Sequence, residues 1–294
     1  MESQQKYKSS FSFEFFPPRT PEAAGKLQTT QAELAKLNPD YYSVTFGAGG
    51  STRDRTFGTV LDIRDKTGIE AAPHLSCMGA MIDEIQEILN KYKENDIKRI
   101  VALRGDLPSG SVGYGQLRYA NELVEYIREE TGDHFHIEVA AYPEFHPQAP
   151  NPSADLKNFK QKVDAGANGA ITQYFYNPYA YYRFIDSCEK LDIDIPIVAG
   201  VMPIINCTQL RRFSDACGAE IPRWILQRLQ EFGDDRISIR KFGVDVTTEL
   251  CAELLEQGAP GLHFYTMNQS EACVQIWKNL GIDQRHNSKQ AETG

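Results

Sequence analysis

The sequence predicts an α/β fold, a closed (β/α)8 TIM barrel with extra helices. Three observations lead there. Short β-rich runs recur along the whole chain, amphipathic helical segments separate them, and eight such units fit within 294 residues. Strand and helix alternating throughout favour a parallel sheet, and that many units fit a closed barrel better than an open doubly wound sheet.

The first run, FSFEFF (11–16), alternates aromatic and polar residues and is stopped by two prolines. YYSVTF (41–46), EAAPHL (70–75) and KRIVALR (98–104) follow, then HIEVAAY (136–142), GAITQYF (169–175), IPIVAGV (195–201) and GLHFYT (261–266). The helical segments carry the complementary period: DEIQEILNKYKEN (83–95) places Ile85, Ile88, Leu89 and Tyr92 on one face. The stretch 202–258 is longer than one helix needs and is expected to hold two or three. The polar ends, about 1–10 and 284–294, are expected to fray. With no linker, repeat or low-complexity block, residues 1–294 are read as one domain.

Composition narrows the function classes. The chain is 41% apolar and 24% charged, with a formal net charge of −9, which suits a soluble globular protein and not a nucleic-acid binder. No apolar run reaches the roughly 18 residues that cross a bilayer, and the polar start MESQQKYKSS lacks a signal-peptide core. Six scattered cysteines without a C-x-x-C pair read as reduced packing residues, so a cytoplasmic location is expected.

A barrel of this kind carries its chemistry at the C-terminal strand ends. Those positions hold Glu14, then Thr45-Phe46-Gly47-Ala48, then His74, Arg104-Gly105-Asp106, Tyr142 to His146, Gln173, and Tyr265 to Asn268. Glu14 either faces solvent or a structural ion pair, or points into an aromatic mouth where desolvation raises its pKa and makes it a general acid. Asp106 and Arg104 either pair to hold a loop or meet a flat heterocycle. His74, after a proline in a strand, reads by itself as a core histidine rather than a catalyst. His146 lies in the proline-rich loop PEFHPQAPNP. Asp155, Asn158 and Lys162 share one helical face, solvated or ligand-binding. The glycines of FGAGGS make neither a dinucleotide fingerprint nor a P-loop. No His/Cys group has metal-ligand spacing, and none is expected to hold a metal. From the residues alone the chain is a barrel enzyme with an acid, a cation and aromatic walls, suited to a flat polar heterocycle.

Taken together, SFEFFPPRT (12–20), SVTFGAGGSTRDRT (43–56), EAAPHL (70–75), IVALRGDLP (100–108), VAAYPEFHP (139–147), KVDAGANGAITQYF (162–175) and HFYTMN (263–268) resemble methylenetetrahydrofolate reductases. The likeness runs from about residue 11 to 282 in order and spacing, and is best to the bacterial single-domain form. It implies an FAD-dependent barrel enzyme that reduces 5,10-methylenetetrahydrofolate to 5-methyltetrahydrofolate for methionine synthesis. NADH or NADPH would reduce the flavin and leave before the folate binds, a ping-pong order. By analogy the chain would be a homo-oligomer, a tetramer.

Carried over by position, Glu14 matches the family's general acid, protonating folate N10 and yielding a 5-iminium cation. Asp106 matches an aspartate that stabilises that cation. Thr45 matches a nicotinamide contact, Gln173 a residue shared by folate and nicotinamide, and Gln209 and Phe213 folate contacts. The FAD positions are Ala48, His74, Arg104, Gly105, Asp106, Ala120, Tyr142, His146, Ala149, Asp155, Asn158 and Lys162. Three positions depart from the pattern: Phe46 replaces a flavin-contacting Tyr, Gln161 an Arg beside the cofactor, and Gln269 a folate-contacting Arg. A non-redox transferase or lyase on a pterin-binding barrel is the main alternative, and it would be colourless. A flavin- or folate-binding protein without turnover is another, which intact Glu14 and Asp106 argue against.

Overall fold

A computed structural model describes residues 1–46, 50–106 and 115–282 of the chain, with residues 50–52 described by backbone only. Eight parallel strands close in sequence order: β1 (Ser10–Phe15), β2 (Tyr41–Val44), β3 (Ala71–Ser76), β4 (Arg99–Leu103), β5 (His136–Ala141), β6 (Gly169–Thr172), β7 (Ile197–Val201) and β8 (Gly261–Tyr265). The seam between β1 and β8 sets Ser12 opposite His263 and Glu14 opposite Tyr265. Strands two and six leave the sheet earlier than the hydrophobic runs predict, after Val44 and Thr172, and so release Thr45 and Gln173 into the rim.

Helices α2 (Pro21–Ala35), α3 (Gly50–Thr67), α4 (Ile82–Glu94), α5 (Ala120–Thr131), α6 (Pro152–Asp164) and α7 (Pro178–Glu189) cover the barrel in turn. Several begin with one local device, a capping side chain followed by proline. Asn151 accepts from Ala154 N at 2.9 Å ahead of Pro152, and Thr20 accepts from Ala23 N at 3.2 Å ahead of Pro21. The long stretch after β7 holds α8 (Cys207–Cys217), α9 (Arg223–Phe232) and α10 (Arg236–Glu256), and α11 (Glu271–Leu280) follows β8. Among the described residues no helix is long and apolar enough to cross a membrane.

The start of the chain differs from the expected frayed end. Residues Glu2–Gln5 form a short helix (α1) whose Gln4 is buried: its amide donates to Ile195 O at 3.2 Å and accepts from Ile197 N at 2.9 Å. A polar side chain has thus found backbone partners at the strand seven entrance, which polarity alone does not reveal. The expected frayed tail, 284–294, lies outside the described residues.

Strand β1 shows how the sheet divides its side chains. Phe11, Phe13 and Phe15 turn outward into the layer beneath the helices, all buried. There Phe13 stacks on Phe264 at 5.3 Å and meets Trp277 of α11 at 5.6 Å, and Phe15 sets an edge to Tyr42 at 5.0 Å. Period-two alternation then turns Ser12 and Glu14 into the barrel. The interior is a small apolar plug of Tyr41, Ala72, Val101 and Ile171 over a charged floor. On that floor Glu138 meets the Arg99 guanidinium at 2.7 Å and His136 at 3.0 Å, while Arg99 lies over the Tyr41 ring at 4.4 Å.

Candidate active site

Three adjoining cavities at the C-terminal strand ends form one bent cleft, because Asp106 and Tyr142 line all of them. A limb of about 350 Å³ is walled by Glu14, Gln173, Tyr174, Phe213 and Met267. A central limb of about 580 Å³ runs over Glu14, Thr45, Phe46 and His74. The third, of about 500 Å³, is the most polar in its side chains: Arg104, His146, Asp155, Asn158, Gln161 and Lys162 face it, with Gly105, Ala120 and Ala149. The cleft thus gathers all the predicted positions except Ala48, which lies outside the described residues, and two glutamines. Gln209 sits on the first turn of α8 and lines none of these limbs. Gln269 lines a separate cavity of about 410 Å³ that shares only Tyr265, Thr266 and Met267 with the 350 Å³ limb.

Glu14 is held by its backbone as well as by its strand. The Thr266 hydroxyl donates to Glu14 O at 2.6 Å, and Asn268 accepts from Phe16 N at 2.8 Å while donating to Phe16 O at 3.0 Å. The loop after β8 therefore clamps the end of β1. Phe11, Phe13 and Phe15 of the run face away from Glu14, and the rings that line its limb with it are Phe16, Tyr142, Tyr174, Phe213 and Tyr265. The Glu14 carboxyl lies between two imidazoles, His74 Nε2 at 3.3 Å and His263 Nε2 at 3.5 Å, both closest to Oε2. Burial pushes His74 below the usual histidine range, the Glu14 carboxylate opposes that, and His263 adds to it. His74 is thus a neutral ring beside the carboxyl.

In the 500 Å³ limb the chemistry suits an anionic, hydroxyl-bearing ligand. Lys162 is brought down to about 8 by burial, with Asp155 opposing, and its ammonium donates to Ala140 O. Arg104 donates to the Gln148 side chain. Asp155 accepts from His146 N at 2.9 Å, and His146 Nδ1 accepts from Gln148 N at 3.0 Å. Burial lowers the His146 pKa, so the ring is neutral with its proton on Nε2. Tyr142, edge-on to His146 at 4.6 Å, is pushed up to about 12 by burial and then by nearby Cys217, Asp155 and Asp106. Gly105 shapes the turn that presents Asp106: its φ is +78°, and a Cβ there would lie 1.7 Å from Ser76 Oγ. Among the described residues no group of three or more His, Cys, Asp or Glu side chains could hold a metal.

Sequence reasoning missed three members. His263 is fully buried and reaches Glu14, Ser12 binds His263, and Gly200 makes room for Tyr265. The signal for the first two was present, because a polar residue alternating with aromatics in HFYTMN repeats the pattern of FSFEFF on what becomes the neighbouring strand. Only the barrel seam, which no local pattern encodes, says that the two runs touch.

The family model described as methylenetetrahydrofolate reductase matches residues 1–281. The 5,10-methylenetetrahydrofolate reductase of Escherichia coli K12 is 44% identical over 271 residues, covering 92% of this chain and 90% of that one. A probable methylenetetrahydrofolate reductase (NADH) of rice is 36% identical, covering 92% of this chain but 48% of its own, so the chain spans about half of the plant protein. Among solved structures, an uncharacterised Clostridium thermocellum protein that binds two copies of 5-methyl-5,6,7,8-tetrahydrofolic acid superposes with a TM-score of 0.67 at 17% identity, covering 96% and 98% of the two chains. That likeness is one of fold.

Proposed function

The chain belongs to the methylenetetrahydrofolate reductase family, and from that membership we propose that it reduces 5,10-methylenetetrahydrofolate to 5-methyltetrahydrofolate, with FAD as cofactor and NADH or NADPH as reductant. The observation that carries the reading is the pairing of Glu14 with Asp106: both line the 350 Å³ and the 580 Å³ limbs of one cleft. A partly buried acid and an exposed carboxylate on a shared cavity are what protonation of a folate nitrogen and stabilisation of the resulting cation require.

The donors of the 500 Å³ limb fit FAD. Lys162 and Arg104 would bind its diphosphate or ring oxygens, Asp155 and Asn158 its ribose hydroxyls, and Tyr142 and His146 would flank it. When bound, FAD supplies hydride transfer between the nicotinamide and the folate's methylene carbon. Glu14 would donate a proton at folate N10. Asp106 would hold its negative charge near the cation that follows. Gln173 borders both the limbs that contain Glu14, so the nicotinamide and the folate would meet it in turn. One shared face is consistent with a ping-pong order. Phe213 would pack on the folate, Thr45 would meet the nicotinamide, and Phe46 would lie beside the flavin. A role in methionine synthesis, a cytoplasmic location and homo-oligomer assembly go with the same reading.

The test is the pair of anaerobic half-reactions. The purified protein should be yellow, NADH or NADPH should bleach the flavin band, and methylenetetrahydrofolate should restore it. Glu14→Gln should keep the first step and lose the second. A protein that neither takes up FAD nor oxidises either nucleotide would exclude the reductase and favour the non-redox barrel enzyme.

A further inference from the structure

Two buried imidazoles flank Glu14, and only His74 stands at a position that the family resemblance links to the cofactor. His263 has no such task. Its ring is fully buried, and its Nδ1 lies 2.7 Å from the Oγ of Ser12, the residue opposite it in the β1–β8 register. Tyr41 stacks beside the ring at 6.4 Å and Tyr265 meets it edge-on at 5.2 Å. Packing and one hydrogen bond therefore fix the ring plane. Its other nitrogen, Nε2, is buried without a hydrogen-bond partner and lies 3.5 Å from Glu14 Oε2.

A hydroxyl both donates and accepts, and a neutral imidazole carries its proton on either nitrogen. If Ser12 donates to Nδ1, Nε2 carries a proton and meets an ionised carboxylate. If Ser12 accepts from Nδ1–H, Nε2 offers a lone pair to a protonated carboxyl. The Ser12–His263 pair thus matches both states that an acid visits in each turnover. His74 approaches the same Oε2 from β3 at 3.3 Å, which leaves Oε1 as the oxygen unclaimed by either ring. The other charged or titratable groups lining the limbs that Glu14 borders are Tyr265 on β8, Arg53 on α3 and, across the cleft, Asp106, Tyr142, His146, Tyr174 and Cys217.

We propose that His263, oriented by Ser12, is a positioning residue for Glu14, fixing Oε2 so that the other carboxyl oxygen is presented to the substrate. This rests on the reading of Glu14 as the acid. It differs from a packing role, in which the ring only fills the barrel.

Two substitutions separate these roles in the flavin-loaded protein. In His263→Asn the amide ends where Nδ1 lies, keeping Ser12 and losing Glu14, whereas His263→Gln reaches the place of Nε2. His263→Asn should slow reoxidation by methylenetetrahydrofolate roughly ten- to hundredfold through misplacement of the acid, with reduction by NADH or NADPH unchanged. Loss of a donor to the carboxylate should also move the pH limb of that half-reaction upward by about one unit. His263→Gln should recover most of both effects. Ser12→Ala, which spares the packing, should shift the limb in the same direction by less. Infrared difference spectra of the Glu14 carboxyl, with Glu14→Gln as blank, read the same shift without turnover.

Equal behaviour of the Asn and Gln variants, a parallel fall in both half-reactions, or an unmoved limb and carboxyl band would each overturn the positioning role. If Glu14→Gln itself leaves folate reduction intact, the acid assignment fails instead, and the infrared shift still decides whether His263 orients the carboxyl.

Discussion

Adding one methyl group at Gly200 tests how the cleft is built. Gly200 lies on β7 facing the barrel, where its N–H donates to Thr172 Oγ1 at 2.9 Å. Tyr265 crosses over it, its hydroxyl donating to Thr172 O at 2.8 Å. A Cβ on Gly200 would lie 2.0 Å from that carbonyl oxygen and 2.8 Å from Tyr265 Cε2. The ring can swing, but the carbonyl belongs to β6 and moves only if β6 and β7 part, and their pairing of Ala170 with Ile197 and Ile171 with Val198 is buried. Overpacking of this kind costs about 1–3 kcal/mol and the lost hydrogen bond about 1 more, so Gly200→Ala should destabilise by about 2–4 kcal/mol. Against a total of about 5–15 kcal/mol the protein still folds, with its thermal midpoint lowered by roughly 3–6 °C. Displacement of Tyr265, which walls both the 350 Å³ and 580 Å³ limbs, should also weaken 5-methyltetrahydrofolate binding. The assay is thermal unfolding with and without that ligand, repeated in a Tyr265→Ala background. Most of the penalty should persist there, because the closest clash is with backbone. An unchanged midpoint, or a penalty that vanishes with the ring, would refute the account.

Other perturbations follow from the same interior. Arg99→Met strips Glu138 of its guanidinium partner at 2.7 Å while leaving the carboxylate buried, and should cost about 3–5 kcal/mol by urea unfolding; Arg99→Met with Glu138→Leu should recover much of it. Stability should fall with acid in two stages. Buried His74 has its pKa lowered by desolvation, so its contribution is present above the ordinary value of 6.5 and fades as pH drops below it. Desolvation acts to raise the Glu138 pKa but is outweighed by His136, Arg99 and His263, so the net shift is downward and its contribution fades below 4.5. Urea midpoints from pH 8 to 3 should show both stages, and Glu138→Gln should remove the lower one. Lys162 in the ligand-free protein sits at about 8, so flavin affinity should weaken as pH rises from 7 to 9 by equilibrium dialysis, and Lys162→Met should abolish that slope.

The barrel was legible because its evidence is local. Eight hydrophobic runs at regular spacing suffice, and the rim residues follow once strand ends are known. The helical period put Asp155, Asn158 and Lys162 on one face without deciding between solvent and ligand, and all three line the 500 Å³ limb. The two imidazoles that flank Glu14 were not legible. The run FSFEFF suggested an acid among rings, yet alternation sends Phe11, Phe13 and Phe15 one way and Ser12 and Glu14 the other. Which groups meet the acid depends on closure of β1 against β8, a contact across about 250 residues of chain. Gln4 was misread for a similar reason, since its partners Ile195 and Ile197 lie nearly 200 residues away.

That division of β1 explains why an acid can be placed so firmly in an interior where a charge is costly. The outward phenylalanines pack against Phe264 and Trp277, and a buried aromatic pair of this kind resists displacement. A one-residue slip of the strand would put three rings into the polar barrel and Glu14 under the helices, so the apolar face enforces the register of the polar one. The latch of Thr266 on Glu14 O and of Asn268 on Phe16 then fixes the strand end at the rim. Packing energy from the outer layer thus holds the carboxyl against two imidazoles and open to the cleft, a placement that the acid's own interactions need not stabilise. The weak point of such an arrangement is the outer layer: Phe13→Ala should cost about 3–5 kcal/mol, and it should loosen Glu14 without touching the cleft.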